Sequence, residues 1–122
     1  MRRKIYLDNN TTTQVAPEVA ETMTPYLTSD YGHPISIHTL GLNALDALKR
    51  SRNIIAKAIG GESEGIVFTS GATEASDLAI RGVAYANRDW GNHIITTRVE
   101  HPSVLRICEV LEKEGFNVDY LG

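Results

Sequence analysis

Ser70-Gly71-Ala72-Thr73 is a run of small and hydroxyl residues set between an apolar triplet, Ile66-Val67-Phe68, and a helical pattern. A strand that turns into a helix this tightly exposes several N–H groups and the positive end of the helix dipole. Such a turn holds an anion, most naturally a single phosphate. Gly71 is expected to let the backbone turn sharply and a ligand approach closely, Ala72 adds no bulk, and the Ser70 and Thr73 hydroxyls add donors. The run lacks the G-K-[ST] ending of a P-loop and the spacing of GxGxxG, so a nucleotide polyphosphate fits less well. An ordinary turn with a Ser or Thr cap is equally consistent with these residues.

His101 is the second chemical candidate. It precedes Pro102, which biases its backbone to extended geometry. A ring there would stand at the end of a second strand, able to donate a proton, stack on a ligand ring, or cap the helix. His33 and His38 lie in an irregular loop without metal-ligand spacing, His93 opens a strand, and no metal site is expected. Cys108, the only cysteine, sits on the apolar stripe of a helix and reads as a buried, inert thiol.

The elements that must position these residues alternate in type. Ile5 to Leu7 is strand-like, and Asp8 to Thr13 is a loop carrying Asn9 and Asn10. Pro17 opens a short helix that Pro25 should end or kink. Ser29 to His38 is a loop punctuated by Gly32 and Pro34, followed by a long helix that Gly60-Gly61 stops. Ile66 to Thr69 reads as a strand, and apolar positions 75, 78, 79, 82, 83 and 86 form a helical stripe. His93 to Thr97 and Phe116 to Tyr120 read as strands on either side of a helix opened by Pro102, with Val104, Cys108 and Leu111 on one face. The fold class is α/β: an N-terminal segment of loops and helices over 1–61, then a βαβαβ run of mostly parallel sheet over 62–122. Ligands of open parallel sheets bind beyond the carboxyl ends of the strands, which is where both candidates fall.

Composition narrows the function classes. The chain has 122 residues, 42% hydrophobic, with net charge -3, so a folded domain is expected. Its basic cluster, Arg2-Arg3-Lys4, is small, and no nucleic-acid partner is expected. No apolar run reaches membrane-span length and the N-terminus lacks a signal-peptide core, so the expected place is the cytoplasm.

"YLDNNTTT", "FTSGATEASDLAI", "GNHIITTRVEHPSV" and "LEKEGFNVDYL", in this order, resemble the N-terminal portion of cysteine desulfurases. These are pyridoxal-phosphate enzymes of the class V aminotransferase group, fold type I. The resemblance covers essentially this whole chain and roughly the first third of such an enzyme. It implies that Gly71, Ala72 and Thr73 bind the cofactor phosphate, that His101 stacks on the pyridine ring and assists proton transfers, and that Asn9 and Asn10 lie on the substrate side. It implies L-cysteine as substrate, with sulfur passed to an enzyme cysteine and alanine released. It further implies a homodimer in the completed enzyme and a partner, in cis or in trans, that supplies the remainder. The family's Schiff-base lysine and persulfide cysteine are placed beyond residue 122. The chain departs from the family at Thr11, where alanine is usual, at His33 and Ile35 within "GHPIS", where "GNPSS" is usual, and at Asp77, where asparagine is frequent.

An incomplete catalyst is the resulting expectation. Three strands make a small parallel sheet with exposed edges, which invites association. An inactive interaction module, and a piece of another class V enzyme such as a selenocysteine lyase or an aminotransferase, are the alternative readings.

Overall fold

Pro17 opens α1 (Pro17–Thr28), where its missing N–H costs nothing. The computed structural model describes residues 5–122. They divide into two compact units, one ending at Ile66 and one of Val67–Gly122.

In the first unit α1 runs through Pro25 rather than ending there. The hydroxyls of Thr22, Thr24 and Thr28 donate back to the carbonyls of Glu18, Ala20 and Thr24. The loop that follows is held close to the start of α2 (Thr39–Ile59) by two glycines. A Cβ at Gly32 would strike the Leu40 backbone, and one at Gly41 would strike Ser36. Gly60, at φ 70° in the left-handed region, ends α2, and the Gly61 N–H closes on the Ala56 carbonyl at 2.8 Å. A 3-10 turn, Ser63–Gly65, packs against α2.

The second unit holds the parallel sheet. β1 (His93–Thr97) and β2 (Asn117–Leu121) pair in parallel, with Ile94 opposite Val118 and Thr96 opposite Tyr120. The crossover between them is α4 (Pro102–Lys113), whose Ile107, Cys108 and Leu111 are buried. Gly115, at φ 93°, makes the turn into β2. Ile107, Leu111 and Phe116 form the core, and Ile80 and Ala84 of α3 (Ala72–Ala86) pack on it with Ile94.

Two expectations are corrected. Residues 66–69 and Ile5 to Leu7 are not strands: among the described residues the sheet has two strands, not three. Ile66 itself is extended (φ -86°, ψ 122°), so its local conformation is as expected although no strand forms there. The stripe on α3 is also not its packed face. Leu78 and Val83 are exposed, whereas Ile80 and Ala84 meet the core. At about 100° per residue the stripe lies about half a turn away from the packed face.

Candidate functional site

α3 begins at Ala72, as the small-residue turn implies, with Gly71 as its N-cap residue and no side chain capping it. The first-turn N–H groups of a helix have no intrahelical acceptor. Gly71 has φ 165° and ψ -178°, extended backbone that any residue adopts, so the turn itself does not require glycine. A Cβ there would meet nothing within 4 Å. The backbone at Gly71 therefore stands open to close approach.

Ser70 is committed elsewhere. Its N–H and its hydroxyl both donate to Glu74 Oε2, at 2.6 Å each. The hydroxyl first, and the N–H second, hold the Glu74 carboxyl below its usual range. The Ser70 hydroxyl is thus not a spare donor for a ligand. Upstream, the Thr69 hydroxyl donates to the Gly71 carbonyl at 3.2 Å. Sequence reasoning did not single out Glu74. The signal was present, however, as a glutamate four residues after a serine at the head of an apolar helix, one step from a capping box.

His101 occupies the cap of α4. The Ser103 N–H donates to its Nδ1 at 3.2 Å, and the Ser103 hydroxyl lies 2.8 Å from the same nitrogen. A backbone N–H only donates, so Nδ1 is the acceptor and the neutral ring carries its proton on Nε2. The imidazole is exposed. The turn before it is braced by the Thr97 hydroxyl, which donates to Glu100 Oε1 at 2.9 Å.

The two helix starts share one cleft. Ser70, just ahead of α3, and Thr73 and Glu74 of α3 line it on one side, with Pro102, Ser103 and Arg106 of α4 on the other. Of the expected cofactor residues Thr73 lines the cleft, while Gly71, Ala72 and His101 are each a chain neighbour of a lining residue. Arg106 is paired with Glu109 at 2.6 Å.

The other candidates have the following surroundings. Asn9 and Asn10 are exposed in a turn closed by the Thr11 hydroxyl on Asp8 Oδ1 at 2.8 Å. His38 caps α2, with Nδ1 accepting from the Gly41 N–H at 3.4 Å, and His33 Nδ1 accepts from the Ile35 N–H. His93 bonds across the strands to Asp119 at 2.9 Å. Cys108 is 1% exposed, and burial pushes its thiol up, against a lowering hydrogen bond to Thr96. A thiol in that setting is a poor nucleophile. Among the described residues no group of three or more His, Cys, Asp or Glu could hold a metal ion, and no helix is long and apolar enough to cross a membrane.

Comparison with known proteins gives a consistent answer. The family model "Aminotransferase class-V" matches residues 5–122. The cysteine desulfurase IscS of Dictyoglomus turgidum is 49% identical over 121 residues, covering 99% of this chain and 31% of that protein. A solved structure described as a NifS-like protein superposes with a TM-score of 0.91 at 36% identity, over 98% of this chain and 33% of that one. SspA in complex with cysteine superposes with a TM-score of 0.83 at 40% identity, over 91% of this chain and 32% of that one. The chain spans about 30% of the length of the curated relatives it matches and corresponds to their N-terminal part. A match over nearly every residue, joined to the same fold, leaves no second assignment: the chain belongs to the class-V aminotransferase family.

Proposed function

We propose that this chain is the N-terminal portion of a pyridoxal-phosphate-dependent cysteine desulfurase, acting on L-cysteine to give L-alanine, with the sulfur passed to an enzyme cysteine. The observation that carries the reading is the start of α3: a helix N-terminus with no side-chain cap and open space at Gly71, in a chain of this family. That donor set fits a phosphate, because unsatisfied N–H groups and the dipole favour an anion. In this reading Gly71 and Ala72 give the close backbone approach, and Thr73 adds its N–H and hydroxyl. His101, held through Nδ1 by Ser103, presents its ring for stacking and the proton on Nε2 for transfer. The family resemblance assigns Asn9 and Asn10 to the substrate side. When bound, the cofactor supplies an electron sink.

The reading assigns no anchor lysine and no sulfur acceptor to residues 1–122. Lys4, Lys49, Lys57 and Lys113 do not match the family's lysine context, and Cys108 is buried. These residues alone are therefore proposed to be inactive, with the rest of the site supplied in cis or in trans. Following the family resemblance, the working form is a cytoplasmic homodimer.

The test is a binding titration of the complete protein, as its gene encodes it, with pyridoxal phosphate and with pyridoxal. The phosphorylated form should bind more tightly, and Gly71→Val should weaken it by about tenfold or more while changing pyridoxal far less. Alanine formed from L-cysteine should exceed a cofactor-only control. Equal affinity for the two vitamers, or an indifferent Gly71→Val, overturns the phosphate assignment.

A further inference from the structure

We infer that Glu74 is the positioning residue of the phosphate-binding turn, fixing Ser70 so that the donors left for the anion are those of Gly71 to Thr73. The inference rests on the function proposed above. Both contacts run to one carboxylate oxygen, at 2.6 Å from the Ser70 N–H and 2.6 Å from its hydroxyl. Bonds with an ionised acceptor are the strong class, and two on one residue leave it little freedom. No side chain caps Gly71, and Glu74 reaches back across the turn to hold the residue before it. The Thr69 hydroxyl on the Gly71 carbonyl is a second, weaker brace on the same four residues.

A carboxylate in the first turn of α3 has a rival reading. The dipole welcomes negative charge there, so Glu74 could simply compete with the phosphate for the helix end. The geometry separates the two. Glu74 reaches back past the cap to Ser70, and no side chain accepts from the turn in the capping position of Gly71. The two roles also give opposite signs. Removing a competitor tightens anion binding, whereas removing a brace weakens it.

The experiment uses Glu74→Ala and Glu74→Gln in the complete protein, titrated with pyridoxal phosphate and with pyridoxal. Ala removes the acceptor of both bonds, and it should lower pyridoxal-phosphate affinity by about tenfold while leaving pyridoxal within about threefold. Gln keeps an acceptor oxygen without the charge, and it should stay within about threefold of the parent for both vitamers. Amide exchange at Ser70 in the cofactor-free protein should speed up in the Ala variant, a readout independent of loading. The idea is overturned if Ala leaves phosphate-form affinity unchanged, if it weakens both vitamers equally, or if either variant tightens the phosphorylated form. The parent and Gly71→Val decide the underlying phosphate assignment separately. A selective parent and a damaged Gly71→Val beside an indifferent Glu74→Ala would remove Glu74 alone.

Discussion

α3 and α4 carry similar apolar periodicity and receive opposite treatment. α4 opens on Pro102, is capped by the His101 ring, and buries Ile107, Cys108 and Leu111 against the sheet and α3. α3 opens on an uncapped Gly71 and fully buries no residue, and its strongest stripe faces away from the core. The difference lies in partners within reach. α4 is the crossover between two paired strands, so its apolar face has a surface to meet as soon as β1 and β2 form. α3 touches that core through Ile80 and Ala84, on the opposite side from its stripe. Periodicity states that a helix has a face to bury, and topology decides what it meets. The capping follows the same division: the helix that holds the unit together has a closed end, and the helix proposed to hold a phosphate has an open one.

The comparison breaks most visibly in the core. Leu111 is 0% exposed, and Leu111→Ala should cost about 2–5 kcal/mol of unfolding free energy through lost transfer and a residual cavity. Leu78, on the α3 stripe, is 51% exposed, and Leu78→Ala should cost under about 1 kcal/mol. Denaturant unfolding of both variants measures the gap. Equal losses would mean that the stripe is covered by something outside the described residues.

How much was legible follows from which interactions are local. His93 to Thr97 and the helix opened by Pro102 start where the sequence pattern places them, because β-branched residues and an N1 proline act within their own segment. The start of α3 was legible for the same reason. What the sequence left unread depends on residues far apart or on side-chain geometry. Ile66 to Thr69 has strand composition and Ile66 is extended, yet a strand also needs pairing, which propensity does not supply. Gly32 and Gly41 looked like punctuation or nothing, although both mark backbone contact between the loop and α2. The Ser70 hydroxyl has the chemistry of a ligand donor, and only its 2.6 Å distance to Glu74 shows that it is committed. The order of the four family motifs carried the proposed function further than any single spacing.

His101 sharpens the contrast between a closed and an open helix end. His101→Ala removes the acceptor for the Ser103 N–H and should cost about 1 kcal/mol, within the usual 0.5–2 for a lost cap. His101→Asn restores a capping acceptor without a ring and should recover most of that loss. In the proposed enzyme both variants lose the proton on Nε2, so turnover should fall by about 10²–10⁴ in each. Stability and turnover therefore separate in the Asn variant. If Asn restores both together, the ring is a cap and nothing more.

The smallest effect concerns how α4 is tied to β2. The Tyr120 hydroxyl donates to Glu112 Oε2 at 3.0 Å, and the ring lies under Arg98 at 5.9 Å. Burial first, and the hydrogen bond to Glu112 second, push the phenol up from 10.0 to about 12. Raising the value in the folded state fixes the sign. Below pH 10 the phenol is protonated folded and unfolded, so its contribution is fully present. As pH rises from about 10 to about 12, the unfolded chain ionises while the folded one does not, and that contribution drains away. The amount is modest, because the side chain is only half-buried and solvent screens it. Tyr120→Phe cannot ionise, so its stability should decline less steeply over this window than the parent's. The tyrosinate difference spectrum of parent minus variant should show one phenol titrating near pH 12. A midpoint near 10, or identical alkaline slopes in the two proteins, would mean that this tie does not hold in solution and that α4 is secured by its buried face alone.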